Sequence, residues 1–123
     1  EDIVPYDNII DLDRYQVKNF KRKLFFGKIL AYENDNLILI NRKINKSINI
    51  NDIIYFNKTT RQRGPMGVGI ILVLKDCYIM LEESGCIEYE YLVLNLLKNN
   101  IKHLRYDSLY LYVKNNKLTK YKF

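Results

Sequence analysis

The sequence has no tryptophan, one histidine (His103) and two cysteines (Cys77 and Cys86). A lone histidine with no serine or cysteine tied to it by a recognisable motif argues against nucleophilic catalysis. Glu82 and Glu83 are adjacent, so on a strand they point to opposite faces and make no acid–base pair. The chain is therefore expected not to be an enzyme. The cysteines have no histidine near them and read as two small thiols, so neither a disulfide framework, a metal nor a cofactor is expected. No apolar run reaches the roughly 18 residues of a membrane-spanning helix; the longest, 68–74, is strand-sized. No signal peptide is visible. The chain opens on Glu1, so the natural N-terminus is expected upstream, with any lipidation or targeting signal it carries. The segment R-G-P-M-G-V-G has closely spaced glycines but no Lys-Ser/Thr pair and no following helix, which excludes a P-loop.

What is present suits one globular domain: 123 residues, 48% apolar. Twenty bases against fourteen acids leave a net charge of +6. That balance favours acidic partners, yet it is modest for a dense RNA binder.

The charge is concentrated in 18–28, K-N-F-K-R-K-L-F-F-G-K. Lys18, Lys21, Arg22, Lys23 and Lys28 surround Phe20, Leu24, Phe25 and Phe26, with no acid between them. The apolar residues suit a strand anchored in a core, with the cations at its mouth. Such a cluster is a site for an anionic partner, most simply a phosphate.

Along the chain, short β-rich runs are separated by turn residues. Strands are expected at 6–15, 22–33, 37–42, 47–50, 53–57, 68–74 and 77–82. Gly27 inside the second marks a bulge or a close backbone approach. Turns are expected at Asn34-Asp35-Asn36, at Asn45-Lys46 and at Lys75-Asp76, and 58–66 reads as a polar loop. Beyond Ser84-Gly85 the period changes. Ile87, Tyr91, Leu94, Leu97 and Ile101 recur at steps of four and three, which predicts an amphipathic helix that stops at Asn99-Asn100. The tail alternates again in L-Y-L-Y-V, 109–113, and turns at Asn115-Asn116, which suggests an added hairpin or a packed extension. The expected domain is 6–103, with 104–123 as the extension.

Seven strands joined by short turns imply an antiparallel meander, too large for one flat layer in a chain of this size. The expected fold is mainly β: a seven-stranded antiparallel barrel or sandwich capped by one C-terminal amphipathic helix. That order resembles the pleckstrin-homology (PH) superfamily over roughly 6–102. K-N-F-K-R-K-L-F-F stands where the family has its basic loop between the first two strands. S-I-N-I-N-D-I-I looks like its fourth strand and the turn into the fifth. The hairpin G-I-I-L-V-L-K-D-C-Y-I-M-L-E-E precedes the helix I-E-Y-E-Y-L-V-L-N-L-L-K-N-N. The family's helical tryptophan is missing, so Tyr91 or Leu94 is expected to plug the barrel. This departure leaves both the acylated PH-domain proteins of apicomplexan parasites and the bacterial PH-like domains as places for the chain.

The resemblance implies binding of an anionic phospholipid, phosphatidic acid or a phosphoinositide. Lys21, Lys23 and Arg42 would hold phosphate, and Lys18, Arg22, Lys28 and Lys43 would join them. Because first and third loops of a meander open at one end, Lys43, Lys46 and the first loop are expected to converge. The expected setting is a monomer in the cytoplasm, peripheral at a membrane surface. Two other readings stand beside this one. P-Y-D-N-I-I with F-F-G-K-I-L-A is similar to the start of a large-subunit ribosomal protein with an SH3-like barrel, which would make the partner RNA. A PH-like module without a lipid ligand would bind a protein instead.

Overall fold

The computed structural model describes residues 27–60, 68–82 and 89–123. Two three-stranded antiparallel units come first. β1 (Gly27–Glu33) and β2 (Asn36–Asn41) are joined through Asn34 and Asp35, whose φ values are 50° and 64°. Two successive left-handed residues match the twist of a hairpin, and Asn and Asp adopt that conformation more readily than most side chains. β3 (Ile44–Asn49) follows β2 across Arg42 and Lys43. A 3-10 turn, Ile50–Asp52, is capped by Asn49, whose side-chain oxygen accepts the Asn51 N–H at 2.8 Å. It leads into the second unit: β4 (Ile53–Thr60), β5 (Val68–Leu74) and β6 (Cys77–Glu82).

Helices and short strands then alternate: α1 (Tyr89–Lys98), β7 (Lys102–His103), α2 (Tyr106–Asn115) and β8 (Thr119–Lys120). Both helices end in the same way. After α1, Asn100 is left-handed (φ 63°), its N–H donates to Leu97 O, and the Ile101 N–H donates to Leu96 O. After α2, Lys117 is left-handed (φ 54°), its N–H donates to Lys114 O, and the Leu118 N–H donates to Val113 O. These are Schellman closures, and each turns the chain straight into the next strand.

The sheet runs β3-β2-β1-β6-β5-β4-β7, with β8 also on β6. β7 lies parallel to β4, β8 parallel to β6, and β1 parallel to β6. A helix between two strands carries the chain back across the sheet, so the next strand runs parallel. That accounts for β7 and β8. The fold is thus mainly β, as expected, but the expected seven-stranded antiparallel barrel or sandwich with one helix needs correcting. The described residues form an open, mixed sheet of eight strands with two helices. The first expected strand, 6–15, lies outside them.

Each face of the sheet has its own core. Ile29, Leu37, Leu39, Phe56, Ile70, Leu72, Ile79 and Leu81 gather on one face with Leu92, Val93 and Leu96 of α1. Ile71, Val73 and Met80 gather on the other with Leu109 and Val113 of α2. This explains why β5 is an unbroken apolar run: Ile70, Ile71, Leu72 and Val73 are all fully buried because both faces are covered. Each such side chain contributes about 1.5–3 kcal/mol by leaving water.

Three local expectations are corrected. The L-Y-L-Y-V stretch lies within α2 rather than a strand, since Leu109 and Val113 bury one helical turn apart while Leu111 is exposed. The hairpin turn falls at Arg42 and Lys43, with Asn45 and Lys46 inside β3. The buried face of α1 is Leu92, Val93 and Leu96; Tyr91 and Leu94, the expected plugs, are 55% and 52% exposed.

Candidate anion-binding end of the sheet

Pairing register decides which cations meet. Lys28, the second residue of β1, lies opposite Ile40, and Ile40 lies opposite Asn45. Two residues beyond Ile40 the chain reverses at Arg42 and Lys43. Lys46 stands opposite Leu39. Lys28, Arg42, Lys43 and Lys46 are all exposed. Neighbouring strands lie about 4.8 Å apart, so the four backbones fall within about 10–15 Å of one another at one end of the β1–β2–β3 unit. Of the residues expected from sequence, the structure therefore brings together Lys28, Arg42, Lys43 and Lys46. Lys18, Lys21, Arg22 and Lys23 lie outside the described residues.

The acids of this unit are elsewhere. Glu33 and Asp35 flank the opposite turn, roughly 16 Å or more from Lys28 at about 3.3 Å per residue. That separation exceeds the screening length at physiological salt, about 8 Å, so the two ends act as separate charges. Across the sheet, Glu82 is the register partner of Lys28 in β6. Alternation places Lys28 on the face opposite Ile29, whose side chain is in the first core. Lys46 shares the face of its partner Leu39. The cations thus border the end of the sheet on both faces, with Arg42 and Lys43 at the tip.

Two features give the tip its shape. Arg42 has a φ of 58°, a left-handed conformation that costs a side-chain-bearing residue about 1 kcal/mol and that the turn imposes. Next to the turn, Ile44 is 51% exposed. An aliphatic side chain beside two cations on a hairpin tip suits a surface that is anionic outside and apolar beneath.

Gly27, immediately before Lys28, is a place of close approach. A Cβ there would stand 2.8 Å from the backbone oxygen of Ile40 and 2.8 Å from the ring of Phe123. The close approach expected at Gly27 is therefore found. The strand irregularity lies further on, between Ile29 and Ala31.

A buried polar group that the sequence reading passed over lies at the other edge of the sheet. Asn57 and His103 are buried with Lys58 on β4 and β7. The Asn57 amide donates to Leu104 O at 2.9 Å, and the Lys58 N–H donates to Nε2 of His103 at 3.1 Å. The histidine is buried, with its ring edge-on to Phe56, its register partner on β4, at 5.0 Å. Burial lowers its pKa from 6.5 to about 4, with the Lys58 charge acting in the same direction and a backbone hydrogen bond of its own residue opposing. Nothing in the sequence pattern marks this contact, because it depends on β7 docking beside β4. Its role is structural: imidazole and amide continue the β4 edge pairing past the end of β7.

Among the described residues, no cluster of His, Cys, Asp or Glu is suited to a metal ion, and no helix is long and apolar enough to cross a membrane. Tyr110 and Tyr112 pack against the second core. No family model matches the chain, and no match was found among curated proteins or solved structures.

Proposed function

We propose that the protein is an anionic-phospholipid-binding module of PH-like build, brought to a membrane surface by the end of the sheet that carries Lys28, Arg42, Lys43 and Lys46. The observation that carries this reading is the sorting of charge within the β1–β2–β3 unit, with the cations at one end and Glu33 and Asp35 at the other. Ammonium and guanidinium groups give phosphate oxygens short, charge-assisted hydrogen bonds. Each cation near an anionic leaflet adds about 1 kcal/mol, so four give reversible recruitment. Lys18, Lys21, Arg22 and Lys23 precede β1 in sequence and are proposed to strengthen the same site. Ile44 is proposed to reach the acyl layer beneath the headgroups. The PH-like build rests on the succession of strands β1 to β6 followed by α1.

The test is cosedimentation with phosphatidylcholine vesicles, with and without phosphatidic acid or a phosphoinositide. Binding should require the anionic lipid and should be lost when Lys28, Arg42 and Lys43 are replaced together by Glu. Binding that ignores the anionic lipid, or survives that reversal, overturns the reading. Retention on RNA with a steep salt dependence, in place of vesicles, would point to an RNA partner.

A further inference from the structure

Residues 119–123 run along the same edge of β6 that β1 uses. Thr119 and Lys120 pair with Cys77 and Tyr78, and the Tyr121 N–H donates to Tyr78 O at 2.8 Å. Further along that edge, Leu81 and Glu82 pair with Gly27 and Lys28. Extending the chain from Tyr121 toward Leu81 brings it to the start of β1. There the ring of Phe123 lies against Gly27, where a Cβ would meet it at 2.8 Å. Tyr121 and Phe123 are stacked edge to face at 5.2 Å, and both pack against the first core. Lys122, between them, is exposed. It therefore projects away from that core, as does Lys28, whose neighbour Ile29 faces inward.

We propose that Lys122 is a further phosphate-binding cation of the basic end, and that Phe123 is a positioning residue that fixes the start of β1 and with it Lys28. This rests on the proposed lipid-binding reading for its ligand, but the positioning stands on the Phe123–Gly27 contact alone. The paired segment of β1 on β6 is only two residues long. An aromatic ring seated on its first residue supplies the side-chain packing that a glycine lacks. Only a glycine leaves room for the ring beside the Ile40 carbonyl.

Three variants of the full chain separate the two parts: Lys122→Gln, Phe123→Ala and Phe123→Leu. Vesicles of phosphatidylcholine with phosphatidic acid probe the lipid, and inorganic pyrophosphate probes free phosphate. K122Q should bind the anionic vesicles about fivefold more weakly, the loss of about one cation's contribution. F123A should weaken binding at least as much. It should also raise hydrogen exchange at the backbone amides of 27–29 about tenfold, with F123L restoring most of both. A lipid site predicts a larger loss on vesicles than on pyrophosphate; equal losses would make free phosphate the ligand of the same cations. If the unaltered chain binds vesicles and both K122Q and F123A bind equally well, the inference is wrong. If the unaltered chain binds neither probe, the functional reading fails and takes the role of Lys122 with it. Exchange at 27–29 still decides the positioning role, and an F123A variant that exchanges there like the unaltered chain overturns it.

Discussion

The Lys58 N–H donates to Nε2 of His103 at 3.1 Å, where His103 is 1% and Lys58 6% exposed to water. β7 pairs with β4 for two residues and then leaves it, and the imidazole takes over as acceptor for the next β4 amide. A ring nitrogen that accepts must be unprotonated, so the contact exists only with neutral His103. In the native chain the imidazole titrates near 4, and in the unfolded chain near 6.5. Between these values the unfolded state binds more protons, so stability rises with pH in that window and falls as pH drops through it. The contribution is fully present above about 7 and lost by about 4, and a shift of this size corresponds to about 3 kcal/mol. Urea denaturation between pH 4 and 7.5, on the unaltered chain and on His103→Gln, checks this. The variant should be less stable at neutral pH and should lack the histidine's share of the slope. Parallel pH profiles for the two proteins would show that His103 is not the titrating group.

The helix α1 tests how a buried face is chosen. Leu92, Val93 and Leu96 are fully buried, and Leu94 is 52% exposed. Leu96→Ala should cost about 2–5 kcal/mol, whereas Leu94→Lys should change stability by less than about 0.5 kcal/mol. Thermal and urea unfolding of the two variants decide it. The reverse order of effects would mean that Tyr91 and Leu94 face the core.

That helix also shows where the sequence stops being legible. From Tyr91 to Leu97 the chain reads Y-L-V-L-N-L-L. Apolar residues stand nearly all round, so the period identifies a helix but does not set its rotation. α2 fails for a related reason. In L-Y-L-Y-V the tyrosines make an alternation that suits a strand, while Leu109 and Val113 suit one face of a helix, and packing on Ile71 and Val73 selects the helix. The strands of the two hairpin units were readable because β2, β5 and β6 are short apolar runs bounded by turn residues. At the basic end, Lys28, Arg42 and Lys43 follow from the basic run, the order of the strands and the family resemblance taken together. Lys122 does not, because it arrives through a parallel contact between segments far apart in the sequence.

Left-handed residues offer a separation of stability from binding. Lys117, at the end of α2, and Arg42, at the hairpin tip, have φ values of 54° and 58°. Glycine at either site removes the steric cost of that conformation and adds some unfolded-state entropy, for a net gain of about 0.5–1 kcal/mol. Lys117→Gly should therefore raise the urea midpoint and leave vesicle binding nearly unchanged. Arg42→Gly should raise the midpoint similarly and weaken binding to phosphatidic acid vesicles about fivefold, the share of one cation. An Arg42→Gly chain that is more stable and binds equally well would remove Arg42 from the site.

Ile44 distinguishes a bilayer from a soluble anion. It is half exposed beside Arg42 and Lys43, and it pairs with Asn41 across the turn rather than with any core residue. Replacing it with Ser removes an aliphatic side chain without changing charge, and the folded chain should lose less than about 0.5 kcal/mol of stability. On vesicles the loss should be larger, because up to about 2 kcal/mol of apolar transfer is at stake when such a side chain leaves water. Binding of Ile44→Ser to phosphatidic acid vesicles should therefore fall by about fivefold or more, while its affinity for inorganic pyrophosphate and the salt dependence of vesicle binding stay as they were. An unchanged affinity for vesicles would confine recognition to the headgroup phosphates, held by the cations alone. A parallel loss on pyrophosphate would mean that Ile44 shapes the turn that presents Arg42 and Lys43, and that it does not enter the bilayer.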